Sequence, residues 1–258
     1  MSAHRIPWGA TALSLAVLAA LLAAWSAASH GGWVSAVFLP TPMAALHSLR
    51  DGWFDGELAG FTIATAGRML VGWLLASLAG VALGALIGSS AAARAWLQPT
   101  LEFVRPLPAS AVMPLAISLF GLGPTMVLAV VAFGAMWPVL LATVHGFASV
   151  HERLREVAQA LQLSRGAFVW KVGLPNALPD IVAGMRLAMT VALIISVVGE
   201  MLASQPGLGQ AILLAARSFR ASELFAGVIL LGAIGFASNA LLALAERRFL
   251  RFQNRGSS

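Results

Sequence analysis

The chain has 258 residues, of which 59% are hydrophobic and 10% are charged, and its mean hydropathy is +0.87. Soluble domains average about 25% charged residues, so this composition excludes an ordinary soluble protein and indicates several membrane-spanning helices. The formal net charge of +6 does not indicate nucleic-acid binding, because the basic residues lie at the ends of apolar segments, where membrane proteins place them.

Six apolar segments follow one another, and we expect each to be a transmembrane helix. They are rich in Leu, Ala, Val and Gly and lack the alternation of an outer-membrane barrel strand. The first, near residues 8–28, is interpreted as a span because it is too long for a signal peptide and no persuasive cleavage site precedes a soluble domain. The other spans are predicted near residues 69–87, 99–120, 125–147, 178–202 and 224–244.

Two of these segments carry further local signals. The second span has small residues at every fourth position, which lets helix backbones approach closely in lipid: Gly72, Ala76, Gly80, Gly84 and Gly88. The third contains Pro106, Pro108 and Pro114, so we expect it to be kinked or partly unwound.

The basic residues are distributed unequally between the two sides of this arrangement. One side receives Arg50, Arg217 and Arg220, and the other receives Arg5, Arg94, Arg153, Arg155, Arg165, Lys171, Arg247, Arg248, Arg251 and Arg255. The positive-inside bias then places both termini and residues 149–175 in the cytoplasm and makes residues 203–223 an external excursion. The prediction is an all-α membrane protein with six transmembrane helices in one domain, residues 1–258.

The segment 149–175 is the one long polar stretch between spans. Its hydrophobic residues recur at near-helical spacing, at Val157, Leu161, Phe168, Val169 and Val172. This pattern predicts a helix from Glu152 to about Leu163, a turn near residues 164–166, and a second short helix that ends before Pro175. By pattern alone, an amphipathic helix lying flat on the lipid headgroups remains an alternative.

The same segment resembles the cytoplasmic loop of binding-protein-dependent ABC importer permeases. The signature of that loop is Glu-Ala-Ala, three residues, Gly, nine residues, then Ile-x-Leu-Pro. It is matched here by Glu156, Val157 and Ala158, by Gln162 at the glycine position, and by Val172, Leu174 and Pro175. Gln162 replaces the residue that would permit a tight turn, and Gly166 is the candidate to supply that flexibility four residues later.

Three further stretches, RPLPASAVMPLAISLFGLG, GMRLAMTVALIISVVGEM and SQPGLGQAI, resemble the nitrate, sulfonate and taurine branch of this family, and together they cover most of residues 58–250. The resemblance implies a permease of the bacterial inner membrane that imports a small anion, with a thiamine-precursor pyrimidine or other small organic nutrient as the alternative. It also implies a second copy of the chain, two ABC ATPase subunits that bind ATP and Mg, and a periplasmic binding protein. The residues it assigns to ATPase coupling are Glu156, Ala158, Leu161, Gln162, Leu163, Arg165, Gly166, Leu174 and Pro175.

Other classes of function find little support in the residues. The chain has no Gly-rich phosphate loop, so it is not expected to hydrolyse ATP, and it has no nucleophile elbow. No metal site is expected, because cysteine is absent and the five histidines are scattered. An enzyme is therefore not predicted, and a secondary transporter usually has internal repeats and more spans.

Several charged and polar residues are candidates for the transport pathway. Arg68 either attracts an anion, extends its charge to the membrane surface, or forms an ion pair with Glu200, which is itself a candidate gate. Arg186, in the inner part of the fifth span, is expected to brace the cytoplasmic gate. Arg217 and Arg220 are candidates for docking the binding protein, with a solvated surface as the alternative. Candidates for lining the pathway, or for ordinary helix packing, are Met113, Ser118, Thr190, Ser196 and Met201.

Overall fold

The computed structural model describes residues 8–32, 34–104 and 107–250, and the regular elements in these ranges are all helices, as predicted. A π-helical turn, Val169–Gly173, separates α8 from α9. The helices are α1 (Trp8–His30), α2 (Pro42–Phe54), α3 (Leu58–Gly88), α4 (Ala91–Val104), α5 (Ala109–Phe120), α6 (Pro124–Ala148), α7 (Glu152–Ala160), α8 (Arg165–Phe168), α9 (Leu174–Ala203), α10 (Leu208–Arg217) and α11 (Ala221–Leu250).

Within the described ranges, five helical segments are long and apolar enough to span a membrane: Leu13–His30, Leu58–Gly88, Pro124–Ala148, Arg165–Ala203 and Ala221–Glu246. The predicted third span is instead divided between α4 and α5. The 12 residues of α5 rise about 18 Å, which is shorter than the hydrocarbon core of about 30 Å. Pro108, in an extended conformation, precedes α5, which agrees with the predicted interruption by proline, whereas Pro106 lies outside the described residues.

The chain divides into two compact units. The first comprises residues 1–60 and 211–230, and aromatic side chains make several of its contacts. The indole of Trp25 donates a hydrogen bond to the Pro40 carbonyl at 2.9 Å and stacks on Phe225 with ring centroids 5.2 Å apart. Phe38 meets the edge of Phe219 at 6.2 Å. The second unit comprises residues 61–210 and 231–258, and it contains the candidate site.

The small-residue stripe of α3 packs against α6. All five residues of the stripe are buried, and a Cβ added to its glycines would meet Val131, Val139, Thr143 and Phe147 respectively. The four contacts advance in step along both helices, so α3 and α6 run parallel in a fixed register. The predicted role of the stripe, close approach of helix backbones, is thereby confirmed.

α9 runs antiparallel to both of these helices. Against α6, Gly199 faces Val127 near one end and Gly146 faces Ala177 near the other. Against α3, the Trp73 indole donates a hydrogen bond to the Met185 carbonyl at 2.8 Å. The three helices enclose the main hydrophobic core of the second unit, which includes Met69, Met126, Val127, Val130, Val131, Ala188 and Ala192.

Candidate functional site

The segment that joins α6 to α9, residues 149–173, is termed the connecting segment. Its first helix, α7, buries Ala158 against the body of the unit and leaves most other side chains exposed. Leu154, Val157 and Leu161 are 48%, 53% and 67% exposed, and their spacing places them on one face of the helix. In the isolated chain α7 therefore presents an uncovered apolar stripe, an arrangement typical of a protein-binding surface.

The turn after α7 depends on Gln162. Its φ of +49° is left-handed, and the Gln162 N–H bonds to the Gln159 carbonyl at 2.9 Å while the Leu163 N–H bonds to the Ala158 carbonyl at 3.0 Å. This pair of bonds is a Schellman motif, in which glycine usually occupies the left-handed position. The expectation that Gly166 supplies the turn is wrong, because Gly166 lies inside α8 and has no left-handed φ. The glutamine itself makes the turn.

The second helix of the connecting segment does not end before Pro175, contrary to the prediction. It begins after Ser164, whose hydroxyl accepts a hydrogen bond from the Ala167 N–H at 3.2 Å, and it continues through the π-helical turn into α9. Proline has no N–H for the carbonyl four residues earlier, and its ring crowds that carbonyl. Widening the preceding turn, where the Leu174 N–H bonds to the Val169 carbonyl, lets the helix pass through Pro175 without breaking.

The last turn of α6 is tied to the connecting segment and to α9 by two side chains. The Arg155 guanidinium donates to the Phe147 carbonyl at 2.8 Å and to the carbonyls of Ala148 and Val150 at 3.3 Å. The Asn176 amide donates to the Gly146 carbonyl at 3.0 Å. The carbonyls of Gly146, Phe147 and Ala148 are in the last turn of α6, where no later N–H of the helix bonds to them and where the negative end of the helix dipole lies, so a guanidinium is a favourable partner. Arg155 thus links α7 directly to α6.

The opposite end of α9 contains a cluster around a buried carboxylate. Glu200 is 0% exposed and forms an ion pair with Arg68 of α3. Its other oxygen accepts hydrogen bonds from the Thr65 hydroxyl at 3.0 Å and from the Gly209 N–H at 2.9 Å, while the Leu208 N–H donates to the Thr65 hydroxyl at 2.9 Å. The cluster therefore joins α3 and α9 to the start of α10. Arg68 is engaged by this pair, which favours a structural role over anion binding.

The other predicted cations lie in different surroundings. Arg186 forms an ion pair with Glu246 of α11. Arg220 pairs with Glu223 at 2.9 Å on an exposed helical turn, and Arg217 is exposed nearby.

The remaining predicted residues are dispersed. Met113 and Ser196 are buried, Met201 is partly buried, and Ser118 and Thr190 are exposed. In the connecting segment and the start of α9, Leu163 and Leu174 are partly buried, and the exposed residues are Glu156, Arg165, Gly166 and Pro175.

A cavity of about 620 Å³ lies among α5, α6 and α9, and it is termed the α6–α9 cavity. None of the pathway residues predicted from the sequence is among its lining. Its lining includes the small residues Gly134, Ala142 and Gly184, and the described lining residues with polar atoms in their side chains are Trp137, His145 and Asp180. His145 and Asp180 both lie within predicted spans, near their ends, and an ionisable group in a span is the sequence signal that could have identified them.

Residues 76–251, a range that includes the connecting segment and the residues named for the cavity, match the family described as binding-protein-dependent transport system inner membrane component. The chain is 34% identical over 236 residues to the putative aliphatic sulfonates transport permease protein SsuC of Bacillus subtilis (strain 168), covering 92% of this chain and 86% of that protein. It is 31% identical over 241 residues to the taurine transport system permease protein TauC of Escherichia coli (strain K12), covering 92% and 88%. It is 33% identical over 181 residues to the nitrate import permease protein NrtB of Leptolyngbya laminosa, covering 70% and 65%.

Proposed function

Because this chain belongs to the family of binding-protein-dependent transport system inner membrane components, we propose that it forms the membrane pathway of an ATP-driven importer for a small anion. It is a multi-pass inner-membrane permease and not an enzyme. The observation that carries the proposed substrate class is the similarity to three permeases whose names specify aliphatic sulfonates, taurine and nitrate. All three substrate types present oxygen atoms that bear negative charge.

The energy for import comes from two separate ATPase subunits that bind ATP and Mg, and the connecting segment is the part of the chain that contacts them. The uncovered stripe of Leu154, Val157 and Leu161 supports this assignment, since a partner surface would remove it from water. Arg155 carries the motion of α7 to the end of α6. Closure of the ATPases then moves a pair of permease subunits, this chain and a second copy, between inward-open and outward-open states.

The proposed topology has six crossings with both termini in the cytoplasm. The five long helical segments supply five of these crossings, and α5 with the residues before it supplies the sixth. This arrangement places the connecting segment on the cytoplasmic side and residues 203–223 on the external side. There the exposed Arg217 and Arg220 are available to a periplasmic binding protein.

Reconstitution tests the transport proposal. The chain, its ATPase subunits and the soluble receptor are placed in liposomes, and uptake of labelled taurine, ethanesulfonate and nitrate is measured with and without ATP. We expect ATP-dependent uptake of at least one of these anions, and a thiamine-precursor pyrimidine serves as the competing probe. Equal uptake without ATPase subunits contradicts the proposal, and uptake of the pyrimidine alone transfers it to the alternative substrate class.

A second experiment tests the contact with the ATPase. Leu161→Asp places a charge in the apolar stripe of α7, whereas Gln159→Asp places the same charge on another exposed face of that helix. We expect only the Leu161 variant to lose co-purification of the ATPase subunit and ATP-dependent uptake. Retention of the ATPase by both variants would show that the stripe is not the docking surface.

A further inference from the structure

A second pocket, of about 220 Å³, lies between the connecting segment and the end of α3, and it is termed the basic pocket. Its wall includes Ser89, which directly follows α3, together with Arg155 of α7 and Arg165 of α8. The described lining residues contain no aspartate or glutamate, so the charge that they place around this space is positive. The basic pocket therefore favours a negatively charged ligand.

Both guanidinium groups retain the capacity to bind an anion. Within the part of the chain that the structure describes, no carboxylate forms an ion pair with Arg155 or Arg165. Arg155 uses its Nε and Nη2 atoms for backbone carbonyls, which leaves Nη1 without a described acceptor. This Nη1 is not one of the buried unpaired atoms of the described residues, so a ligand can reach it, and Arg165 is exposed. Two accessible guanidinium groups are a favourable arrangement for a phosphate group.

The position of the basic pocket along α3 corresponds to the surface of the membrane. The 31 residues of α3 rise about 46 Å, which is close to the bilayer thickness of about 40–45 Å that includes the headgroups. Because α6 runs parallel to α3 and leads into the connecting segment, the proposed topology puts this end of α3 on the cytoplasmic side. A third guanidinium, that of Arg94, donates to the Gly88 carbonyl at 2.6 Å, next to Ser89. The pocket thus lies at the level of the lipid phosphates.

The rest of the wall favours a lipid over a free anion. Leu163 and Phe168 are partly buried and line the same space as the two arginines. Inorganic phosphate has no apolar part to contact these side chains, whereas the phosphate of a phospholipid is attached to a glycerol backbone and acyl chains. Contact with that apolar part removes hydrocarbon from water. A basic pocket with an apolar wall therefore matches the two chemical parts of an anionic phospholipid.

We propose that the basic pocket binds the phosphate group of an anionic phospholipid from the cytoplasmic leaflet. Basic pockets on the cytoplasmic side of membrane helices are suited to such headgroups. One phosphate held by Arg155 and Arg165 ties α7 to α8 at the membrane surface. The inference uses the proposed topology, but it does not depend on which solute the permease imports.

Lipid titration of the detergent-purified complex of permease and ATPase subunits provides the first test. Native mass spectrometry counts the bound phosphatidylglycerol, and Arg155→Gln and Arg165→Gln should each raise its Kd by roughly tenfold, the loss typical of a hydrogen bond to a charged group. Arg153→Gln removes the same charge from an exposed residue of α7 outside the described lining and should leave the Kd unchanged. Zwitterionic phosphatidylcholine should bind more weakly than phosphatidylglycerol. An unchanged Kd in both pocket variants overturns the inference, and so does an equal loss in all three variants, which would show diffuse attraction to a basic surface.

A measurement on the unaltered chain covers the case in which a variant does not fold or assemble. The complex is reconstituted with phosphatidylglycerol that carries a photoreactive diazirine in its headgroup, and the cross-linked peptides are identified. We expect adducts on the peptides that contain Ser89 and residues 155–168, and an excess of inorganic phosphate should not remove them. Absence of these adducts overturns the inference. Their loss with inorganic phosphate would make free phosphate the ligand and would overturn the assignment to a lipid.

The failure of this inference is distinguishable from the failure of the proposed function, because lipid binding is measured without transport. A complex that imports an anion but gives no adduct in the basic pocket overturns only the lipid site. A complex that binds phosphatidylglycerol through Arg155 and Arg165 but imports no anion supports the lipid site and contradicts the proposed function.

Discussion

Arg68 and Glu200 form an ion pair between α3 and α9 in which the carboxylate is fully buried and the guanidinium is only 11% exposed. The carboxylate also accepts hydrogen bonds from Thr65 and Gly209, so its desolvation is compensated by several donors. Such a pair is strongly coupled, since removing one partner leaves the other as an uncompensated buried charge.

Arg68→Met is accordingly expected to destabilise the protein by about 3–5 kcal/mol, because Glu200 loses its counter-charge. The double variant Arg68→Met/Glu200→Gln should be less destabilised than Arg68→Met alone, since no buried charge remains. Unfolding of the detergent-purified chain measures both values. Arg217→Met, at an exposed position without an ion pair among the described residues, is the control, with an expected effect within about 0.5 kcal/mol. A cost for Arg68→Met no greater than this control would contradict the coupling.

Gly207 is expected to tolerate no side chain, because a Cβ there would lie about 2.6 Å from a Glu200 carboxylate oxygen. Gly207→Ala should therefore displace the carboxylate and lower the melting temperature. Gly232→Ala is the matched change in open space inside α11, where a Cβ meets nothing within 4 Å, and it should be neutral or stabilising by up to about 1 kcal/mol. Equal melting temperatures for the two variants would refute this packing argument.

Gln162 carries a conformational cost that glycine would not. A non-glycine residue in the left-handed region is disfavoured by roughly 1 kcal/mol, so Gln162→Gly should stabilise the turn after α7 by about that amount, and Gln162→Val should weaken it. Hydrogen exchange of the Gln162 and Leu163 amides, which close the motif, reports this directly. Slower exchange in the glycine variant and faster exchange in the valine variant are the expected results, and the reverse order would be incompatible with the left-handed turn.

Arg155 is expected to govern how well ATP hydrolysis is converted into transport. Arg155→Gln removes the charged donor from the last carbonyls of α6, a local loss of about 1–2 kcal/mol, and frees α7 to move without α6. ATP hydrolysis should continue while the number of solute molecules imported per ATP falls. Arg153→Gln, on the exposed side of the same helix, should leave this ratio unchanged. If Arg155→Gln also imports at the wild-type ratio, Arg155 has no coupling role.

The predictions from sequence succeeded where the signal was local and repetitive. Glycine or alanine at every fourth position of α3 can serve little purpose other than close helix packing, and the structure places all of these residues against α6 or in the core. The connecting segment was also predicted from the sequence, because it is the one long polar and charged stretch between two apolar spans.

What the sequence did not reveal depended on how distant residues meet. The α6–α9 cavity is formed by faces of three helices, and no local pattern in the sequence predicts how these faces meet. The continuation of the helix through Pro175 was mispredicted for a different reason. Proline favours both a helix start and a helix stop, and only the π-helical turn before it decides between them.

The unbroken register between α3 and α6 limits how this permease can move. Sliding one helix past the other by a single residue would drive the side chains of Val131, Val139, Thr143 and Phe147 into α3 all at once. This register favours movement of the two helices together as one rigid body. Any hinge of the transport cycle has to be sought outside this pair.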